Sequence, residues 1–281
     1  MQCVNWIIGT IFFYFGFSLI LDVICKTFYS NRKIDISSPS RKSKKAWIKQ
    51  HALTAVNAGL LGVGFSYIQS SYLSGQTHLV NDSVTAIGAL FDMIWIYLCL
   101  DIGFYAAHKL LHTNLFYKRV HYIHHRETSP NVWSSLYAHP VEMILSIILP
   151  IMLIPFIPVE VNLYVYIGTL SILNLVNIIG HCGYEITNTI VTVTSLNHWV
   201  SKIDKNRKWI GAIFARVSDH HDHHSKFSKN IGLYFTLWDV CFKTGDFELS
   251  KKHNKTTHVT TIVSIIRNSY NEKENREDKA S

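Results

Sequence analysis

A chain of 281 residues, 48% hydrophobic and only 16% charged, has room for one large domain or two small ones and is more apolar than soluble proteins usually are. Its net charge of +8 does not point to nucleic acid: Lys26, Arg32, Lys33, Arg41, Lys42, Lys44, Lys45 and Lys49 crowd one segment between two apolar runs, and no nucleic-acid-binding motif is present. Such crowding is what the positive-inside rule expects of a cytoplasmic loop, and it also suits anionic lipid headgroups.

The first apolar run, Val4 to Cys25, is long enough to cross a bilayer. No Lys or Arg precedes it and it has no small-residue cleavage site, so it reads as an uncleaved anchor. A second run, Leu53 to Leu73, is rich in Gly and Ala, and a third, Val84 to Ala107, leads directly into His108. The fourth, Met143 to Pro158, is short and carries Pro150, which predicts a helix that enters the membrane without fully crossing it. Past the Pro155/Pro158 break, Val161 to Gly180 completes a hairpin that returns the chain to its starting side.

Polar residues interrupt these runs. Asp92 and Asp101 lie in the third, and Asn162, Asn174 and Asn177 in the fifth, where polar groups need partners inside the protein. Asp101 is also a candidate for orienting metal ligands, and the role of Asn177 is open. With the basic loop in the cytoplasm, the second run crosses outward and the third crosses back, so His108 emerges on the cytoplasmic side. Residues after about Ser250 form a polar tail. The expected organisation is therefore 1–83, anchor helices with a basic cytosolic loop; 84–249, a metal-binding domain; and 250–281, the tail. Cys3, Cys25, Cys99, Cys182 and Cys241 are scattered, without CxxC spacing, and imply no disulfide framework; Cys182 is read as packing.

Twelve of the 16 histidines fall between His108 and His224. Three boxes stand out: His108 and His112, then His121, His124 and His125, then His220, His223 and His224. Residues at i, i+3 and i+4 share one helix face, so each box aims its imidazoles together. Neutral imidazole is a common transition-metal ligand, and eight convergent copies exceed one coordination sphere. The reading is a two-metal site. His181 closes the fifth run much as His108 follows the third, and is read as a further ligand. His139 is left open between ligand, ligand-orienting donor and substrate contact. His221 breaks the spacing and is read as an outer donor or solvent-facing, and His198 is less well placed. His51, His78, His253 and His258 are read as surface residues.

Zinc would take three or four ligands, and the His-Glu-x-x-His hydrolase pattern is missing, so a membrane zinc hydrolase does not account for so many imidazoles. Iron accepts imidazole, and attacking an unactivated C–H bond needs an oxidant that side chains cannot supply. Asp101, Asp222 and Glu142 are candidates for fixing the ring tautomers.

The boxes H-x3-H, H-x2-HH and H-x2-HH resemble those of the sterol desaturase/fatty acid hydroxylase superfamily. So do Phe116-Tyr-Lys-Arg-Val-His121, Ala138-His-Pro-Val-Glu142, His181-Cys-Gly-Tyr184 and Asn230-Ile-Gly-Leu-Tyr-Phe-Thr-Leu-Trp-Asp239. The resemblance covers about Ile94 to Thr244. It implies an all-α, multi-span membrane helical bundle with a cytosolic histidine-rich metal-binding cap, holding two iron ions as a non-haem diiron centre with O2 as co-substrate. It further implies a sterol or fatty-acyl substrate arriving from the bilayer, and electrons from cytochrome b5 or a similar donor with its NAD(P)H reductase. The location would be the endoplasmic reticulum membrane in a eukaryote or the inner membrane in a bacterium. The x3 spacing of the first box favours the sterol-desaturase branch over the fatty acid 2-hydroxylase branch. No His-Pro-Gly-Gly haem motif is present. Where the family often has Asp-Arg-Leu-Phe-Gly-Thr, this chain has Asp239-Val-Cys-Phe-Lys243-Thr, so the turn there is expected to differ.

The expected activity is O2-dependent hydroxylation or desaturation of a lipid C–H bond. The alternative is a membrane metal-ion transporter or metal-binding protein, which would place its ligands at mid-membrane or in a flexible loop.

Overall fold

In the computed structural model, residues 2–34, 43–186 and 215–245 are described, and helix dominates them. Helix α1 (Gln2–Phe28) buries Tyr14, Ser18, Leu21 and Cys25 along one stripe, while Phe12, Leu19 and Ile20 stay exposed. An outward apolar surface of this kind suits lipid better than water. Helix α2 (Lys44–Leu73) begins ahead of the apolar run at Leu53 because Ser43 caps it, its hydroxyl accepting from the Ala46 amide at 3.2 Å. Lys44, Lys45 and Lys49 therefore belong to the helix rather than to the loop before it. The two helices approach closely at Gly62, where a Cβ would lie 2.6 Å from the Ile7 Cα, so only glycine admits the contact.

Helix α3 is Ala86–Leu111 and helix α5 is Leu163–Gly180. Together with α1 and α2 they are four helices long and apolar enough to cross a membrane. Between them, α4 (Pro140–Phe156) is a shorter apolar helix, wound as a π turn over Ile144–Ile148 just before Pro150. Its far end meets the loop between α2 and α3. The His78 amide donates to the Pro155 carbonyl at 2.8 Å, and strand β1 (Leu79–Val80) pairs in parallel with β2 (Val161–Asn162). Asp92 accepts from the Asn162 amide at 2.8 Å, and the Asn162 side chain caps α5 through the Tyr164 and Val165 amides. Asp92 thus finds its partner at a helix junction inside the bundle, as expected.

At the opposite end, the start of the basic segment lies against the residues that follow His181. The Ile34 amide donates to Gly183, and the Glu185 amide to Arg32, each at 3.0 Å. Gly183 sits at φ +77, and a Cβ there would lie 2.7 Å from the Pro130 carbonyl. The chain between the second box and α4 is docked onto α1 and α2 by side chains aimed at its backbone. Tyr14 and Ser18 donate to the Val132 carbonyl, at 3.2 and 3.3 Å, and Asn57 donates to both the Leu136 and Ala138 carbonyls at 2.8 Å. Buried in the bundle, the Val132 and Ala138 carbonyls depend on helix side chains for their hydrogen bonds.

Candidate metal centre

His108 and His112 occupy the last turn and the C-cap of α3. The second box follows on a bent helical segment made of Asn114–Phe116, Tyr117–His121 and Tyr122–His125, whose middle piece is a π turn. His181 is the C-cap of α5, and the third box lies on helix α6 (Val217–Lys226). All nine imidazoles come together in two groups: His108, His112, His121, His125 and His223 in one, His124, His181, His220 and His224 in the other. Every ring is buried except His112, which is half-buried.

The nitrogens face one another in a way that bare imidazoles avoid. In the first group, His108 Nε2 lies 3.1 Å from His121 Nε2 and 3.2 Å from His223 Nε2, and His112 Nε2 lies 3.0 Å from His121 Nε2. In the second, His220 Nε2 lies 2.8 Å from His181 Nε2 and 3.1 Å from His224 Nε2. A metal–imidazole bond of about 2.0–2.1 Å sets adjacent ligand nitrogens about 3.0 Å apart at right angles and about 3.4 Å apart at tetrahedral angles.

The other ring nitrogen decides the tautomer. His108 Nδ1 donates to the Ile231 carbonyl at 2.7 Å, His223 Nδ1 to Lys229 at 2.7 Å, His181 Nδ1 to Asn177 at 2.8 Å and His124 Nδ1 to Tyr137 at 3.2 Å. With Nδ1 protonated, each of these rings presents an Nε2 lone pair to its neighbours' lone pairs. That arrangement is repulsive unless a cation sits between them. The residues therefore fit two metal ions held by imidazole.

Burial reinforces the fit. It pushes His112, His121 and His181 down to about 3 and holds His220, His223 and His224 well below the ordinary histidine value, so the rings stay neutral and ready to bind. Glu142 approaches His121 Nδ1 at 3.0 Å, off the line of a regular hydrogen bond, and burial raises its carboxyl to about 7.

Two of the three expected orienting carboxylates do not act on a ring directly. Asp222 pairs with Lys226 at 3.5 Å. Asp101 accepts from Trp238 Nε1 at 2.7 Å and from the Phe235 amide at 3.3 Å, holding the chain that ends in helix α7 (Leu237–Cys241). Asp239 then accepts from the Ile231 and Gly232 amides at 2.8 and 3.0 Å. Asp101 and Asp239 act one step out, on the loop whose Ile231 carbonyl orients His108. Carbonyls, invisible to a reading of side-chain types, orient four of the nine rings.

The remaining histidines stand apart from both groups. His139 is the N-cap of α4, its Nδ1 accepting from the Val141 amide at 3.2 Å, so it is a helix cap rather than a ligand. His51 stacks on Trp47 at 4.0 Å and is only half-exposed, because the ring packs between aromatics. His78 is exposed, and His221 belongs to neither group. His198, His253 and His258 lie outside the described residues. Cys182 is buried beside His181 and donates to the Tyr184 carbonyl at 3.2 Å, in keeping with packing. Lys243 adopts φ +57, so the turn keeps the left-handed conformation that the family's glycine favours, although the residue is not glycine.

A cavity of about 230 Å³ opens between α1 and α5 and runs inward to Asn177, and a void of about 20 Å³ lies beyond it against His108, His124, His181 and His220.

The fatty acid hydroxylase family profile matches residues 93–244, more than half of the chain. The chain belongs to that family. The matched stretch contains all nine converging histidines and the Asp101–Trp238 tether. C-4 methylsterol oxidase of Schizosaccharomyces pombe is 34% identical over 163 residues, 54% of this chain and 47% of that protein. Lathosterol oxidase of Mus musculus is 34% identical over 140 residues, 50% of this chain and 40% of that protein. Methylsterol monooxygenase 2-1 of Arabidopsis thaliana is 26% identical over 227 residues, 77% of this chain and 78% of that protein. The chain spans less than half the length of the first two. No solved structure matches it.

Proposed function

We propose that this chain is a membrane-embedded, O2-dependent oxidoreductase that hydroxylates or desaturates a lipid C–H bond at a non-haem diiron centre. A sterol is the first candidate substrate, since the relatives include proteins named for sterol oxidation. The observation that carries the reading is the pair of imidazole groups whose Nε2 lone pairs face one another inside a buried site. Iron held there supplies the oxidising power that no side chain of the protein has.

The protein's own contribution is positional. Nine neutral rings hold the metals: His108, His112, His121, His125 and His223 on one side, His124, His181, His220 and His224 on the other. Backbone carbonyls fix the tautomers of His108, His124, His181 and His223, burial excludes bulk water, and an apolar cavity admits substrate from between two membrane-length helices. Residues 84–249 form the catalytic domain on this reading, with 1–83 as the anchor. The contact between Arg32–Ile34 and Gly183–Glu185 supports a metal centre on the same face as the basic segment, hence cytosolic, where cytochrome b5 and its NAD(P)H reductase would reach it. An endoplasmic reticulum location in a eukaryote follows from that partnership. Ligands gathered at helix ends into closed sets speak against the transporter alternative, which needs ions to enter and leave at mid-membrane.

Lipid profiling of cells with and without the full chain tests this reading. The expected result is one lipid class that gains an oxygen atom or loses two hydrogens, dependent on His124. An unchanged lipidome, with an active electron donor present, would overturn it.

A further inference from the structure

We propose that Asn177 anchors a hydroxyl of the lipid substrate, so that a lipid alcohol enters the cavity polar end first and is attacked close to that hydroxyl. The inference rests on the metal-centre reading above.

The cavity is lined along most of its length by side chains such as Phe13, Leu61, Phe65, Leu100 and Leu170. Its mouth is marked by Gly9, Phe13 and Ser171, which are exposed on α1 and α5. The polar groups on the wall are mostly committed elsewhere. Trp6 Nε1 donates to Gln69, Thr10 to the Ala58 carbonyl, Ser146 to the Glu142 carbonyl and Ser171 to the Ile167 carbonyl.

Asn177 is different. It is only 5% exposed, and its carbonyl orients His181, yet its side-chain amide has no hydrogen-bond partner among the described residues. By contrast, Asn162 in the same bundle bonds backbone groups through both its amide nitrogen and its amide oxygen, and Asn57 does so through its nitrogen. Asn177 lines both the large cavity and the small void against His124, His181 and His220. Asn174, one turn nearer the mouth and half-buried, also has no side-chain partner among the described residues, but it lines the large cavity alone and does not reach the void against the imidazoles.

An amide unpaired in apolar surroundings is costly, and a ligand group that pairs with it recovers the cost. The amide both donates and accepts, which a hydroxyl complements and a carbonyl or ether does only by half. Polarity concentrated at the inner end fixes the direction of entry: hydroxyl inward, hydrocarbon toward the mouth. The carbon presented to the metal centre is then within a few bonds of the hydroxyl oxygen.

The test is equilibrium binding of a radiolabelled sterol, and of the same sterol with its hydroxyl replaced by hydrogen, to the metal-loaded full chain in lipid nanodiscs. The wild type should bind the alcohol about fivefold or more tightly than the deoxy compound. Asn177→Leu should bind the two alike while keeping its metal content, because the bond to His181 comes from the backbone. Equal binding by the wild type would overturn the proposal without any variant, as would a preference retained in Asn177→Leu. Because no turnover is required, an alcohol preference without any oxidation would contradict the oxidase reading and leave the anchor standing. Oxidation of both lipids without preference would remove the anchor alone.

Discussion

Asn57, midway along α2, brackets the carbonyl that orients His124. Its amide donates to the Leu136 and Ala138 carbonyls at 2.8 Å each, and the carbonyl between them, on Tyr137, accepts from His124 Nδ1 at 3.2 Å. A residue deep in a membrane-length helix thus holds one ring of the second imidazole group through the backbone of an intervening loop. Asn57→Leu should leave the buried Ala138 carbonyl unpaired and the Leu136 carbonyl with only the Ala138 amide, cost about 2 kcal/mol of stability and lower the metal content. Thermal unfolding in detergent together with metal analysis checks both effects; an unchanged metal content would detach Asn57 from the centre.

Ligand loss should follow the grouping. His223→Ala removes a ring from the first group and His220→Ala from the second, so each should abolish turnover and empty or displace a metal. His78→Ala, on the exposed α2–α3 loop, should leave turnover and metal content as in the wild type. Activity assays paired with metal analysis on the three variants make the comparison.

The boxes were legible because helical spacing carries their meaning: i, i+3 and i+4 project one way wherever the helix lies, and all nine histidines named from spacing and position converge. The apolar runs marked the helices for the same reason, although the Ser43 cap moved the start of α2 to Lys44. What holds the rings was not legible. Tyr14, Asn57, Asp101 and Asp239 act on backbone groups, and for the first three the partner lies far along the chain, so no local pattern announces it. His139 could have been recognised as a cap from its place before Pro140, since proline favours the first helical position.

Lys243 pays for a left-handed turn that glycine adopts freely. Lys243→Gly should therefore stabilise the protein by about 0.5–1 kcal/mol without altering activity. Denaturation midpoints of the two proteins test this, and a destabilised variant would mean that the lysine contributes a contact outweighing the strain.

Acid should weaken the metal-free protein. His112, His121 and His181 are depressed from 6.5 to about 3, so between those values the unfolded chain binds more protons than the folded one. Their contribution is fully present above pH 6.5 and is lost as pH falls toward about 3. Unfolding of chelator-treated protein at stepped pH should show stability falling below pH 6.5; a flat profile would contradict the burial of neutral rings.

Topology offers an independent check. Asn81-Asp-Ser83 lies between α2 and α3, and Asn254-Lys-Thr256 follows the third box. Tags near Ser74 and at the C-terminus should report opposite faces of sealed membranes, with the C-terminal tag cytosolic. Both on one face would mean that α2 and α3 do not each cross.

The central claim, two metal ions held by imidazole alone, is tested most directly by counting metal in the purified, active chain. The account predicts two iron ions per chain, with both lost when the His223→Ala and His220→Ala changes are combined. A single ion per chain in a fully active preparation would contradict it.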